Sequence, residues 1–384
     1  MITIVEVREV KRILVLASVL LMGFILFAVE PIVIGVFEPM TGPYAAGGQL
    51  TMEGINLAAE QVTEVLGRPI ELVLVDNKSE KVEASNAVSR LIQFNKASVI
   101  IGSYGSAVAI PGSEVANAAG VPMIGCSPTN PLVTLGKPYA FRVCFIDPFQ
   151  GSVMAKFAVN ELGAKTAVII QDIASDYSVG LSHYFQNSFK ALTGDNKSIS
   201  GVISYQTGDQ DFTAQLAYAQ GKNPDVIFIP AASYGEAALI IKQARELGIE
   251  SQFLGGDTWE VPEFLQVGGA AVEGSYFSTH FDVSVAPTPK AAEFIEAFKA
   301  KYGVEPSAFS ALGYDAFMLA VDAIKRAGSA VPEDIKNALS ETVAFEGVTG
   351  YITIDENGDA IKDAIVRKVE NGTFKFVSVV KPAE

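Results

Sequence analysis

Four short stretches of this chain carry residue types able to hold a small molecule with both a carboxylate and an ammonium, and each follows an apolar run. The first is Gly102–Ser106, after Val99–Ile101, where small and polar residues lead into a helix. The first N–H groups of a helix lack intrahelical acceptors and carry the positive end of its dipole. Gly102 and Gly105 let the backbone approach a ligand closely, and Ser106 adds a hydroxyl. A carboxylate suits such a turn; a phosphate loop would need a Lys-Ser/Thr pair that is missing. The same residues also make an ordinary turn and cap.

The second stretch, Ser127-Pro128-Thr129-Asn130-Pro131, ends the next apolar run, and adjacent strands would set the hydroxyls of Ser127 and Thr129 beside Ser106. The third, Thr41-Gly42-Pro43-Tyr44, follows the first strand and places Tyr44 on the same rim, though Gly-Pro alone already predicts a turn. The fourth, Gly255–Trp259, offers Asp257 as a partner for an ammonium and Trp259 for packing or a cation–π contact. Asp257 reads equally as a helix N-cap. Tyr177 follows the strand Thr166–Gln171 and can either reach into a cleft or sit half-buried in a core.

Catalytic patterns are scarce. The two histidines, His183 and His280, lack metal-ligand spacing, and neither a G-x-S-x-G elbow nor a G-x-G-x-x-G turn occurs. Ser106 as a nucleophile would need a base, and both histidines lie outside the motif stretches. Asp355–Asp359 (DENGD) resembles half a calcium loop without its closing Glu and reads as a hairpin. The expectation is a binding protein, not an enzyme, with no cofactor and no metal.

The elements that must position these residues alternate strand and helix. Strands are expected at Ile32–Phe37, Ile70–Asp76, Val99–Gly105 and Pro122–Ile124, with helices at Gln49–Leu66 and Lys81–Phe94 between them. After Asp147-Pro148 a second series runs from helix Phe149–Leu162 to strand Ser275–His280. Helices Pro289–Tyr302, Ser310–Ala327 and Pro332–Glu341 follow. The tail turns to strands, Tyr351–Ile354 and Ile365–Val369 joined around Asn357-Gly358, with a hairpin at Asn371-Gly372. At 384 residues the chain exceeds what one core usually serves, so two α/β lobes are expected. A net charge of −15 argues against nucleic acid and an anionic membrane surface as partners. Two cysteines, Cys126 and Cys144, are too few for a disulfide scaffold; they either pair or stay buried and reduced.

Residues 1–28 read as a targeting segment: Arg8, Lys11 and Arg12 precede the apolar run Ile13–Ala28. It is expected to act as a signal peptide or, uncleaved, as an N-terminal anchor. The protein is therefore expected to be exported, periplasmic or at the cell surface.

Three stretches carry a family resemblance: IGVFEPMTGPYAAGGQLTMEGINLAAEQV at Ile34–Val62, VIIGSYGSAVAIPGSEVANAAGVPMIGCSPTNP at Val99–Pro131, and PEFLQVGGAAVEGSYF at Pro262–Phe277. In order and spacing the chain resembles the periplasmic branched-chain amino-acid-binding proteins, the Leu/Ile/Val-type substrate-binding components of ABC transporters. The resemblance implies two doubly wound α/β lobes of the periplasmic binding protein type (class I) joined by a three-strand hinge. Lobe 1 would span 31–146 plus 277–348 and lobe 2 147–276 plus 349–384. It implies Ser106 for the ligand carboxylate, Ser127 and Thr129 for carboxylate and ammonium, Asp257 for the ammonium and Tyr177 as a cleft tyrosine. It also implies capture by hinge closure, delivery to an ABC permease and a monomeric state. Relatives bind amides or aromatic acids, and an uncleaved anchor would suit a ligand sensor. Four positions depart from the pattern. The aromatic of the first-strand loop is Gly47; a lobe 2 tyrosine aligns with Ser233, beside Tyr234; and Lys78 and Gly105 replace the disulfide of some members. Tyr44, Tyr104 and Trp259 are the aromatics expected to refill the pocket that Gly47 opens.

Overall fold

The computed structural model of the protein describes residues 30–382, so the expected targeting segment lies outside the described residues. No helix among the described residues is long and apolar enough to cross a membrane.

The chain begins with β1 (Ile32–Glu38), whose seven residues are all buried. A strand buried on both faces reads as a continuous apolar run, and parallel sheets covered by helices demand this. Helix α1 (Ala45–Gln61), β2 (Glu64–Val65), β3 (Arg68–Asp76), α2 (Lys81–Gln93), β4 (Val99–Ile101), α3 (Ser106–Ala119), β5 (Met123–Gly125) and β6 (Ala140–Arg142) follow. They form a six-stranded sheet in the order β2-β3-β1-β4-β5-β6, parallel except for β2. Alternate side chains of β1 feed opposite cores, Ile32, Ile34 and Val36 on one face and Val33 and Phe37 on the other.

The second series is α4 (Asp147–Lys156), β7 (Ala167–Asp172), α5 (Asp176–Thr193), β8 (Ile199–Tyr205), α6 (Thr213–Lys222), β9 (Val226–Ile229), α7 (Tyr234–Glu246), β10 (Gln252–Gly255), α8 (Pro262–Gly268) and β11 (Tyr276–Thr279). Helices α9 (Pro289–Tyr302), α10 (Ala308–Ala327) and α11 (Pro332–Ser340) come next, then β12 (Phe345–Gly347), β13 (Gly350–Ile354), β14 (Ala360–Ile361), β15 (Ala364–Glu370) and β16 (Thr373–Val380). The second sheet has seven strands, β16-β15-β11-β10-β9-β7-β8, with β15 and β16 antiparallel at one edge. Strands β12-β13-β14 make a small antiparallel sheet.

The cores show where the chain passes between the sheets. Leu312, Phe317 and Ile324 of α10 and Ile352 and Ile354 of β13 pack with the first sheet, whereas β11 and β15 belong to the second. The passages therefore fall after β6, after β11 and between β14 and β15.

Several local expectations shift. Helix α1 starts at Ala45, four residues before the expected Gln49, because Gly47 and Gly48 pack against Tyr104 and the Pro39 carbonyl in spite of their poor helix propensity. Its expected C-terminal turn is instead β2. The helix expected at Phe149 begins at Asp147, with Pro148 in the first turn where a missing N–H costs nothing. Strand β13 turns back onto β14 and not onto the strand at Ile365–Val369, which pairs with β11 and β16. The Asn371-Gly372 hairpin forms as expected between β15 and β16.

Helices α1 and α10 approach so closely that each needs a glycine. A Cβ on Gly54 would collide with the Ser310 carbonyl, and one on Gly313 with the Thr51 carbonyl. Backbone cannot swing aside as a side chain can, so Gly54→Val is expected to destabilise the fold by about 3 kcal/mol or more. Urea denaturation would read the difference against Gly221→Val, a helical glycine of α6 with open space around it.

Candidate functional site

The strand orders create two crevices. In the first sheet β1 lies between β3 and β4, so the winding reverses there and the loops after β1 and β4 part. In the second sheet the same happens between β7 and β9. The loop after β1 supplies Tyr44; the loop after β4 supplies Tyr104, Gly105 and Ser106; the loop after β5 supplies Ser127. From the second sheet come Ser175 and Tyr177 after β7, Ala232 after β9, and Asp257 and Thr258 after β10. All line one cavity of only ≈ 10 Å³. That is about the room one water needs, so the two sets of loops must separate before a larger molecule enters. Across its mouth Asn130 Nδ2 donates to the Asp176 carbonyl (2.8 Å), and Lys81 Nζ pairs with the Asp176 carboxylate (2.8 Å).

Asp257 is the charged centre of the cavity. It is 2 % exposed and starts a single 3-10 turn, Asp257–Trp259; its carboxylate caps no helix. Tyr177 Oη and Gln150 Nε2 each donate to Oδ1 at 2.8 Å, and His280 Nε2 lies 3.1 Å from Oδ2. A buried carboxylate requires such donors, because lost hydration is costly unless replaced. Every one of these donors is neutral or neutral-capable, so the negative charge is solvated without a permanent cation bonded to it. Burial raises the Tyr177 phenol well above its ordinary range, and the Asp257 charge adds to that. Burial lowers His280, with Asp257 opposing. Asp147, at the start of α4, is pushed up to about 8 by burial and so holds its proton at neutral pH.

The opposite end offers donors for an anion. Ser106 is the first residue of α3, so its amide and that of Ala107 have no intrahelical acceptor. Its hydroxyl accepts from Asn130 N (3.2 Å), which leaves the O–H proton free to donate. Ser127 Oγ is buried with no partner. Arg142, fully buried, holds this loop from behind. It donates to the carbonyls of Pro128 (2.6 Å) and Asn130 (3.0 Å) and to Thr134 Oγ1 (2.6 Å), and pairs with Asp359 (2.7 Å). Asp359 therefore belongs to an ion pair under the loop; the DENGD turn is otherwise closed by Asp355 Oδ1, which accepts from Asn357 N and Asp359 N. Among the described residues no cluster of acidic, histidine or cysteine side chains could hold a metal ion.

An aromatic wall closes the side. A Cβ on Gly47 would fall inside the Tyr104 ring, so Tyr104 occupies the space that glycine leaves. Phe309 meets Tyr104 edge-on at 4.9 Å, and Tyr44 lies 6.3 Å away. Glu38 Oε2 accepts from Tyr104 N (2.8 Å) and so fixes the wall to the end of β1.

Three residues expected at the site are placed elsewhere. Trp259 does not line the cavity: it is fully buried behind the turn, stacked on Phe264 at 4.8 Å. Ser233 caps α7 by accepting from Glu236 N (3.4 Å), and it is the neighbouring Ala232 that faces the cavity. Thr129 does not line the cavity: its carbonyl accepts from Asp147 N (2.9 Å), and its Oγ1 is buried without a partner, as is Ser127 Oγ. Cys126 and Cys144 are free and buried, with burial pushing the Cys144 thiol up to about 12. Gln150 and His280 join the site although no sequence pattern marks them. Both come from segments at the passages between sheets, which only the assembled fold brings to Asp257.

A family model described as periplasmic binding protein matches residues 31–373. The chain belongs to that family. Leu/Ile/Val-binding protein homolog 2 of Brucella abortus (strain 2308) is 28% identical over 369 residues, covering 94% of this chain and 96% of that protein. A crystal structure of a leucine binding protein, LivK, from Thermotoga maritima MSB8 is 47% identical, with a TM-score of 0.88 over 91% of this chain and 99% of the other. LivJ from Streptococcus pneumoniae str. Canada MDR_19A, solved with isoleucine, is 36% identical, with a TM-score of 0.86 over 92% and 100%. A Rhodopseudomonas palustris solute binding protein solved with benzoate shares the fold at 23% identity and a TM-score of 0.80, over 92% and 98%. The two sheets and three passages are thus the class I lobes and hinge of this family.

Burial raises Glu38 from 4.5 to about 8. The unfolded chain ionises this group first, so folding loses stability as pH climbs from about 4.5 through about 8. Glu38→Gln keeps an acceptor for Tyr104 N and removes the titration. Urea midpoints should show the variant more stable than wild type at pH 8.5, by more than ~1 kcal/mol, and no more stable at pH 4.5. An equal difference at both pH values would disprove the assignment.

Proposed function

We propose that the protein is an exported solute-binding component of an ABC importer that captures an α-amino acid with an apolar, branched side chain and delivers it to a membrane permease. The observation that carries this reading is Asp257, a buried carboxylate facing the free donors of Ser106 and Ser127 across one cavity. A zwitterion matches both ends: its carboxylate meets the hydroxyls and the first amides of α3, and its ammonium meets Asp257. A simple aryl acid would leave the Asp257 charge without a counterion in a desolvated space, which disfavours it. Tyr44, Tyr104, Tyr177 and Ala232 provide an apolar wall for the side chain.

Binding by lobe closure follows from the confined space. Each lobe holds half of the recognition groups, so a ligand that bonds to both stabilises the closed arrangement by its differential contact. No reacting atom is needed. The proposed boundaries, 31–146 plus 277–348 and 147–276 plus 349–384, need a small amendment, since Phe277–Thr279 pairs in the second sheet and Ile352 and Ile354 pack with the first. In this reading the protein acts as a monomer, and residues 1–28 serve as its signal peptide or N-terminal anchor.

A thermal-shift screen of the purified protein against amino acids, amides and aromatic acids tests the assignment, because a ligand that binds only the folded state must raise the melting temperature. Leucine, isoleucine or valine should give the shift. Asp257→Asn, which keeps the shape and loses the charge, should weaken binding by about 100-fold or more, the scale of one partner lost from a buried charge pair. A shift by benzoate and none by any zwitterion would overturn the amino-acid reading.

A further inference from the structure

His280 is the second histidine of a chain that has only two, and it stands where the ligand site meets the hinge. It follows β11, at the second passage between sheets, and is 1 % exposed. Its ring stacks on Phe145 of the first passage, with centroids 3.8 Å apart. Nε2 lies 3.1 Å from Asp257 Oδ2, and Nδ1 is buried with no partner.

The geometry decides the ring's resting form. A neutral ring with its proton on Nε2 donates to Asp257 and leaves only a lone pair at Nδ1. A second proton at Nδ1 would be buried without an acceptor. The charged groups around the ring are divided, and burial outweighs them. Lys362, from the segment between β14 and β15, opposes a second cation there, while Asp257, from the turn after β10, is the one group favouring it. From α4, Asp147 carries its proton at neutral pH and Gln150 is uncharged; from the first passage, the Cys144 thiol is kept neutral by burial. His280 is therefore neutral near pH 7 and leaves the Asp257 carboxylate for a ligand cation.

We propose that His280 is the positioning residue that makes the site proton-sensitive: neutral, it orients Asp257 and leaves its charge for the ligand ammonium; protonated, it takes the ammonium's place as the counterion. The inference rests on the amino-acid reading above. The direction of the effect is fixed by the same contacts. Burial holds the His280 titration below its ordinary value of 6.5, so affinity is constant at higher pH and falls as the solution is acidified below that value. By linkage, a bound ammonium must in turn make His280 harder to protonate.

The test uses leucine as the probe and calorimetric titration at pH 7.5, 6.5, 5.5 and 5.0. Wild type is expected to lose affinity by up to tenfold per pH unit once His280 titrates. His280→Gln, whose amide can still donate to Asp257, is expected to lose the pH dependence, its leucine affinity staying flat on acidification whatever its value at pH 7.5. Glu236, pushed up to about 6, also titrates in this range, but its contribution would be common to both proteins. Parallel pH curves for the two overturn the proposal while leaving the amino-acid reading intact. Failure of wild type to bind leucine at pH 7.5 instead removes the reading, and the inference with it. Should His280→Gln not fold, the imidazole resonance of His280 in a His183→Asn background reads its titration directly. Leucine must then shift that titration to lower pH by a unit or more, and an unchanged titration overturns the proposal.

Discussion

A carboxylate removed from water has to be surrounded by donors, and the arrangement around Asp257 follows from that constraint. No single strand end can supply three donors to one carboxylate. They come instead from α4 (Gln150), α5 (Tyr177) and the residue after β11 (His280), which fixes how those elements meet. Gly256 tolerates this crowding because it lacks a Cβ, which would strike the Tyr177 hydroxyl and approach Gln150. The charge thus organises its own enclosure, and the enclosure leaves one side open to the first lobe's hydroxyls.

The same network reaches the hinge. Phe145 and His280, from two of the passages between lobes, stack on each other, and Lys362, from the third, donates to the Val143 carbonyl (3.3 Å) and to Thr349 Oγ1. Burial lowers Lys362 to about 8, and Asp315 opposes that shift, so the passages are joined by a desolvated polar contact as well as by packing. Glu260, three residues after Asp257, accepts from Ala308 N (3.0 Å) at the start of α10 and from Arg367 (2.9 Å), which also pairs with Asp282. The turn that carries the ligand-facing carboxylate is therefore bonded to both lobes at its far end.

Much of this was legible in the sequence because parallel α/β sheets write themselves in apolar runs and glycine-rich junctions. The runs at Ile32–Phe37 and Val99–Ile101 marked the two strands flanking the first crevice, and the residues after them, Tyr44, Tyr104 and Ser106, do line the cavity. Asp257 and Tyr177 were legible for the same reason. Rotation about a turn was not: Trp259 and Ser233 sit within two residues of cavity-lining positions, yet one points into the core behind Phe264 and the other caps a helix. Gln150 and His280 were illegible on different grounds. Gln150 follows no strand end directly, His280 follows β11, which lies away from the crevice, and their approach to Asp257 depends on long-range packing that local pattern does not encode.

Gly47 and Tyr104 share one volume, since any side chain at the first position would have to enter the ring of the second. The first turn of α1 and the loop after β4 are thereby bound into a single steric unit. Such a pair cannot change in arbitrary order: the ring must shrink before the glycine can grow, and the intermediate with both positions small would carry an enlarged, poorly packed pocket. Moving the aromatic from the loop after β4 to the first turn of α1 would therefore pass through a roomier, more permissive pocket.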